Sequence, residues 1–144
     1  MKHPEDFVLM VEDNADDVTL TLRSFDKSGF PYPIVVARDG AQALGHLFSA
    51  DPQQSGARPR RPVLVLLDLN LPKVTGLAVL KRIREDLLLR DLPVIILSSS
   101  NEEKDRSEAG RLSADLYIRK PINFHDFAVV AQQIKDFLAV RAKA

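Results

Sequence analysis

Acidic, hydroxyl and basic side chains follow short apolar runs at several places in this sequence. They are Glu12 and Asp13 after FVLMV, Asp68 after VLVLL, Ser98 after PVIIL, and Lys120 after DLYIR. An unpaired buried charge is expensive, so carboxylates at such positions need a compensating cation, water or a chemical task. Three carboxylates in one crevice would repel one another and raise one another's proton affinity, and a divalent cation relieves this repulsion.

The donor types of this set restrict the chemistry. Oxygen ligands without neighbouring His or Cys favour Mg²⁺ over zinc or copper. Since Mg²⁺ usually takes only one or two carboxylates, another carboxylate is left free to act as a nucleophile. A cation and a lysine together would neutralise an incoming phosphoryl group.

The apolar runs alternate with longer amphipathic segments, which predicts strands and helices in turn. The predicted strands cover 7–11, 34–37, 63–67, 93–97 and 115–119. Five β-α units at this spacing indicate an α/β fold, with a doubly wound parallel sheet, right-handed crossovers and helices on both faces. Because ligands in such sheets bind beyond the carboxyl ends of the strands, the polar residues are expected to meet there.

Two helical segments carry more detailed predictions. In GLAVLKRIREDLLL, Leu80, Ile83 and Leu87 align on one face. In SNEEKDRSEAGRL, Ser100 and Glu103 have capping-box spacing. This second helix is polar almost all round, so we expect it to dock weakly on the sheet.

The composition restricts the class of protein. A chain of 144 residues with 45% apolar and 28% charged residues suits one globular domain. Equal numbers of basic and acidic residues, 20 of each, argue against a general nucleic-acid binder. The absence of cysteine excludes disulfides and thiol chemistry. With no signal peptide and no run near ~18 apolar residues, a cytoplasmic protein without a membrane span is expected.

Residues 51–62, rich in Pro, Gln and Arg, predict an exposed loop whose role the sequence leaves open.

Four motifs in this order resemble the receiver domain of two-component response regulators. They are VEDN at 11–14, LLDLNLP at 66–72, ILSSS at 96–100 and YIRKP at 117–121. The resemblance covers nearly the whole chain. It implies one receiver domain over 1–144 with a core of about 6–141 and no output domain. It also implies the flavodoxin-like receiver fold with strand order 2-1-3-4-5.

The resemblance implies a phosphoryl-accepting metal site. Asp68 is similar to the phosphoacceptor, which takes a phosphoryl group from a sensor histidine kinase. Asp13 matches the direct Mg²⁺ ligand, and Glu12 the second acidic position, acting through water. Asn70 stands where a backbone carbonyl completes the metal shell. Mn²⁺ is expected to substitute for Mg²⁺ at this site.

The resemblance also implies the parts of a switch. Lys120 matches the lysine that pairs with Asp68 and then with the phosphoryl oxygens, and its bond to Pro121 is expected to be cis. Ser98 matches the hydroxyl that hydrogen-bonds a phosphoryl oxygen and pulls the loop after strand 4 inward. Tyr117 matches the aromatic side chain whose rotamer follows this movement. The change would reach the surface formed by helix 4, strand 5 and helix 5, which would bind a partner or form a homodimer.

A narrower resemblance concerns the partner. The insert before the third strand and the segment LLLRDLPVIILSSS look like regulators paired with phytochromes, so the kinase is expected to be a bacteriophytochrome. Two other functions stay open. One is a phosphate-independent pseudo-receiver that acts as a scaffold, although it usually lacks part of the acidic and lysine set. The other is an aspartyl-phosphate phosphohydrolase, which needs a second acid where this chain has Asn70. A non-enzymatic switch is therefore the preferred interpretation.

Overall fold

A five-stranded parallel sheet forms the centre of the molecule. The computed structural model describes residues 6–48 and 61–142. Its strands are β1 (Val8–Val11), β2 (Ile34–Ala37), β3 (Leu64–Leu67), β4 (Val94–Ser98) and β5 (Leu116–Arg119). Every neighbouring pair is parallel, and the order is β2-β1-β3-β4-β5. The predicted strand order is confirmed, and each predicted strand lies within one residue of the observed one.

In the described ranges, five α-helices connect and cover the strands. They are α1 (Ala15–Ser28), α2 (Gly40–Phe48), α3 (Gly76–Glu85), α4 (Glu103–Arg111) and α5 (Phe127–Ala142), the last preceded by a 3-10 turn at Phe124–Asp126. Among the described residues, no helix has the length and apolar character needed to cross a bilayer. The described residues do not include 49–60, so most of the predicted 51–62 loop lies outside them.

β1 and β3 are apolar at every position, and β4 at every position but its last, because both faces of the sheet are covered. On β1, Leu9 and Val11 pack with residues of α2 and α3, whereas Val8 and Met10 pack with residues of α1 and α5. The same alternation divides β3 and β4 between the two core clusters. Period-2 side-chain alternation in buried strands therefore produces two cores, one on each face.

The end of α3 differs from the predicted apolar stripe. The helix stops at Glu85, and Leu87 and Leu88 are 80% and 81% exposed. The Asp86 carboxylate accepts hydrogen bonds from the N–H groups of Leu88 and Leu89, both at 3.0 Å. Such local side-chain acceptors compete with helix continuation. The prediction that Leu87 shares the buried face of Leu80 and Ile83 was wrong for this reason.

The start of α4 also differs from its predicted capping box. Its N-cap residue is Glu102, which makes no side-chain capping bond. Ser100 Oγ instead donates to Asp105 Oδ2 at 2.5 Å, so the predicted Ser100–Glu103 capping box was wrong. Within α4 only Ala109 is buried, as the polar sequence of this helix predicts.

Candidate functional site

The candidate site lies at the carboxyl edge of the sheet, where the backbone hydrogen bonds continue one residue beyond the strands. Glu12 N donates to Ala37 O at 2.9 Å, and Asp68 N donates to Val11 O at 3.1 Å. Lys120 N donates to Ser98 O at 2.8 Å. These bonds fix the first residue after β1, β3 and β5, so the side chains emerge from positions as rigid as the sheet itself.

The Lys120 ammonium group lies among three carboxylates at this edge. Lys120 Nζ lies 2.5 Å from Glu12 Oε1, 2.9 Å from Asp17 Oδ2 and 3.1 Å from Asp68 Oδ2. The side chains of Glu12 and Asp68 are only 2% and 5% exposed, and that of Lys120 is 9% exposed. The structure therefore brings together three of the residues that the sequence singles out, in a largely desolvated crevice.

Asp17 is a member of this cluster that the sequence interpretation missed. It lies in the first turn of α1, where its N–H donates to the Asn14 side chain at 3.0 Å. Its side chain is 25% exposed. Since side chains in a helix tilt toward its N-terminus, an acid in the first turn after VEDN points back toward the strand ends. That position is the signal that could have identified it.

Three carboxylates of the site are close enough to hold a metal ion. Oxygen atoms of Glu12, Asp13 and Asp68 all lie within 4.8 Å of one another. Asp13 is exposed, whereas Glu12 and Asp68 are buried, so the group opens to solvent on one side. A set made only of carboxylate oxygens suits a hard divalent cation such as Mg²⁺ or Mn²⁺. The donor set therefore fits the expected metal.

The titration behaviour of the site reflects its burial and its excess of acids. Burial raises the pKa of Glu12 to about 7. The hydrogen bond from Lys120 opposes this rise, and the negative charge of Asp68 adds to it. Burial lowers the pKa of Lys120, but hydrogen bonds to Glu12 and Asp17 outweigh this and raise it above its usual range. An acid and a base whose pKa values both rise show that the crevice favours added positive charge.

Asn70 and Asp68 are linked through the backbone of the loop after β3. Asn70 N donates to Asp68 Oδ1 at 3.2 Å, and the Asn70 side chain is exposed. This bond orients the carboxylate of Asp68. The role of the Asn70 carbonyl as a metal ligand stays a prediction.

Gly76 lets α3 approach the backbone of the Asp68 loop. A Cβ at position 76 would lie 2.1 Å from Asp68 O and 2.7 Å from Leu69 Cα. Gly76 N donates to Leu69 O at 3.1 Å. The loop that carries Asp68 is therefore held against the start of α3 at a distance that only glycine permits.

Ser98 and Tyr117 meet at a shared neighbour, Ser100. Ser98 is fully buried, and its Oγ accepts from Ser100 N at 3.3 Å. The Tyr117 hydroxyl donates to Ser100 O at 2.9 Å. The guanidinium of Arg106 in α4 lies 4.7 Å from the centre of the Tyr117 ring. The end of β4, the loop after it and β5 are thus connected through one residue.

The peptide bond after Lys120 differs from its expected form. The Lys120–Pro121 bond is trans, so the predicted cis isomer was wrong. Trans is the isomer that most bonds to proline prefer, by about 0.5–1 kcal/mol.

A parallel sheet in this order with acids, a hydroxyl and a lysine at its carboxyl edge defines a receiver-type signalling domain. The chain belongs to the response regulator receiver domain family, whose model matches residues 8–132. It is 37% identical over 130 residues to the probable methanogenesis regulatory protein FilR2 of Methanothrix harundinacea, covering 90% of this chain and 81% of that protein. It is 32% identical over 135 residues to response regulator Rcp1 of Synechocystis, covering 94% and 90%.

Solved structures of response regulators, two of them named for phytochromes, are similar over most of the chain. The phosphorylated cyanobacterial regulator RcpA has a TM-score of 0.82 and 34% identity, with 93% of this chain and 94% of that chain covered. The Mn²⁺-bound form of Rcp1 has a TM-score of 0.80 and 32% identity, with 92% and 93% covered. The bacteriophytochrome response regulator RtBRR has a TM-score of 0.74 and 39% identity, with 89% and 76% covered. The narrower resemblance to phytochrome-associated regulators is thus found among its relatives.

Proposed function

We propose that this protein is a phosphorylation switch in which Asp68 accepts a phosphoryl group from a sensor histidine kinase. The observation that carries the proposal is the buried Asp68 carboxylate, 3.1 Å from Lys120 and within reach of the Glu12 and Asp13 oxygens. Burying several charges at one sheet edge costs folding free energy, and clusters of this kind concentrate at functional sites.

In the proposed reaction Asp68 is the nucleophile. A carboxylate oxygen forms the new bond to phosphorus, and the bond between phosphorus and the donor imidazole nitrogen breaks. The electron pair leaves with the imidazole, which then takes a proton from water, and Asp68 becomes an acyl phosphate. The Lys120 ammonium stabilises the negative charge on the phosphoryl oxygens.

The proposed metal is Mg²⁺, with Mn²⁺ as a substitute. Asp13 and Asp68 would hold it directly, Glu12 through water, and the Asn70 carbonyl would complete the shell. When bound, it supplies positive charge that offsets the charge of the carboxylates and the phosphoryl group. The Mn²⁺-bound relative Rcp1 supports this assignment.

The proposed output is a change in the surface of α4, β5 and α5. Ser98 would turn its hydroxyl to a phosphoryl oxygen and give up the bond from Ser100 N. Tyr117, bonded to Ser100 O, would then move with the loop. Because α4 buries only Ala109, it resists displacement weakly. Exposed Leu116 and Val140 border a cavity of about 440 Å³ on this surface, which suits a homodimer.

We propose a phytochrome kinase as the phosphodonor. The support is the similarity to RcpA and RtBRR, whose names connect them with phytochromes. Relatives such as FilR2 have other described roles, so phosphotransfer from several kinases must be compared.

Asn70 carries an amide where a phosphohydrolase needs an acid, which favours a switch over an enzyme. A scaffold that works without phosphate is the alternative.

The test is labelling of Asp68 by acetyl phosphate, followed by mass spectrometry. We expect one phosphoryl group on Asp68. We expect no labelling when EDTA removes Mg²⁺ before acetyl phosphate is added, and none in Asp68→Asn. Asp39→Asn is the matched control because Asp39 is also a buried acid after a strand, but it pairs with Lys73 at 3.4 Å. Labelling that persists in Asp68→Asn would refute the assignment. Wild-type protein that binds Mg²⁺ but takes no label from acetyl phosphate or any kinase would favour the scaffold.

A further inference from the structure

We infer that Asp17 is a positioning residue that holds the Lys120 ammonium in place during phosphoryl transfer. The inference rests on the proposed function, and it concerns a residue outside the acidic pair, acceptor, hydroxyl and lysine assigned above. Asp17 Oδ2 lies 2.9 Å from Lys120 Nζ, across 103 positions of the chain.

The three contacts of Lys120 differ in what the reaction does to them. An ammonium has three N–H donors, and three carboxylates surround this one. Glu12 belongs to the candidate metal group, so its charge is shared with the cation. Asp68 is the proposed acceptor, so its carboxylate becomes an acyl phosphate. Asp17 belongs to neither group, and its contact with Lys120 can persist from start to finish.

Asp17 is itself held firmly. Its N–H donates to Asn14 Oδ1 at 3.0 Å, and its carbonyl accepts from Thr21 Oγ1 at 2.7 Å. These two bonds fix the backbone of Asp17 in the first turn of α1. Lys120 is fixed at its other end by the backbone bond to Ser98. A long, flexible side chain is therefore held at both ends, which reduces the entropy lost when it must meet the phosphoryl oxygens.

Asp16 provides a matched control for this contact. It lies in the same turn of α1 and has the same charge, but it is exposed and is not among the Lys120 partners. Asp16→Asn and Asp17→Asn change the net charge equally. An effect common to both variants reflects charge near the site, and an effect limited to position 17 reflects the contact.

The experiment compares wild type, Asp17→Asn, Asp17→Ala and Asp16→Asn during labelling by acetyl phosphate at saturating Mg²⁺. We expect the maximal labelling rate of Asp17→Ala to fall on the order of 10-fold to 100-fold, the scale of a misplaced catalytic group. Asp17→Asn keeps an acceptor oxygen and should fall less. Asp16→Asn should label at the wild-type rate, and Mg²⁺ affinity and circular dichroism should be retained in all of them.

A maximal rate in Asp17→Ala equal to that of the wild type would overturn the inference, and so would an equal fall in Asp16→Asn. The ¹⁵N resonance of the Lys120 ammonium, recorded without any phosphodonor, separates this inference from the proposed function. It should broaden through faster proton exchange in Asp17→Ala but not in Asp16→Asn. If it is unchanged, the positioning role is wrong even where labelling occurs. If the wild type takes no label from acetyl phosphate or from any kinase, the proposed function fails, and the resonance alone decides the contact.

Discussion

Lys120 Nζ lies 3.1 Å from Asp68 Oδ2, although 52 positions separate the two residues and their strands are not neighbours. β4 lies between β3 and β5, so the two strands are roughly 10 Å apart. The lysine side chain crosses the end of β4 to reach the acid. Ser98, the last residue of β4, therefore occupies the strand end between the two charged partners.

Replacing Lys120 tests the role of this ion pair. We expect Lys120→Met to lower the rate of acetyl phosphate labelling by about 10²–10³, because the charge that stabilises the phosphoryl oxygens is lost. Mg²⁺ binding, measured by calorimetry, should persist because all carboxylates remain. Lys135→Met is the control, since Lys135 is a partly buried lysine that bonds to Ser28 O at 2.7 Å on the α1–α5 side. Labelling at the wild-type rate in Lys120→Met would contradict the assignment.

The raised pKa of Glu12 predicts how the stability of the metal-free protein depends on pH. The folded protein binds this proton more tightly than the unfolded chain, in which the pKa is near 4.5. The stabilisation from Glu12 is therefore full below pH 4.5 and is lost as the pH rises through about 7. Urea unfolding in EDTA should show wild type losing stability relative to Glu12→Gln over this range.

The control for this titration is Glu85→Gln, at an exposed glutamate of α3. Its stability profile should stay parallel to that of the wild type. Parallel profiles for Glu12→Gln as well would mean that Glu12 does not titrate in this range.

Gly76 offers a test of the loop that carries Asp68. In Gly76→Ala the new Cβ must displace the Asp68 carbonyl, so we expect a loss of about 1–3 kcal/mol of unfolding free energy and slower labelling. Gly45→Ala in α2 is the control, since nothing lies within 4 Å of a Cβ there. It should stabilise the protein by about 0.5–1 kcal/mol. Chemical unfolding measures both variants. An unfolding free energy of Gly76→Ala equal to that of the wild type would show that the loop shifts without destabilising the fold.

Arg84 connects α3 with the segment between α4 and β5. Its guanidinium donates to the carbonyls of Leu112 and Ser113 at 3.1 and 2.9 Å, and to Leu92 O at 2.7 Å. We expect Arg84→Met to lower the unfolding free energy by about 2–3 kcal/mol, because carbonyls that accept from a charged donor lose it. Hydrogen exchange should also speed up at the carboxyl end of α4.

Arg82→Met is the matched control for Arg84. Arg82 is exposed on the same helix, 4.7 Å from the Phe48 ring, so its loss should change stability by less than about 1 kcal/mol. Equal effects of the two substitutions would mean that the carbonyl contacts of Arg84 contribute little.

The sequence by itself determined the sheet and the set of residues at its edge. Continuous apolar runs marked strands buried on both faces, and β-α alternation made their carboxyl ends coincide. Glu12 and Asp68 follow such runs directly, and Lys120 follows the partly exposed edge strand DLYIR, so their meeting required only the strand positions. Local pattern and chain connectivity carry this information, and it survives small errors in element bounds.

Only the tertiary structure decided which side chains touch. The contact between Asp17 and Lys120 joins residues 103 positions apart, and it depends on where α1 lies against the end of β5. Periodicity gives a helix its face but not its position along or across its neighbours. The raised pKa of Glu12 likewise follows from burial, which arises when the whole chain closes over that edge.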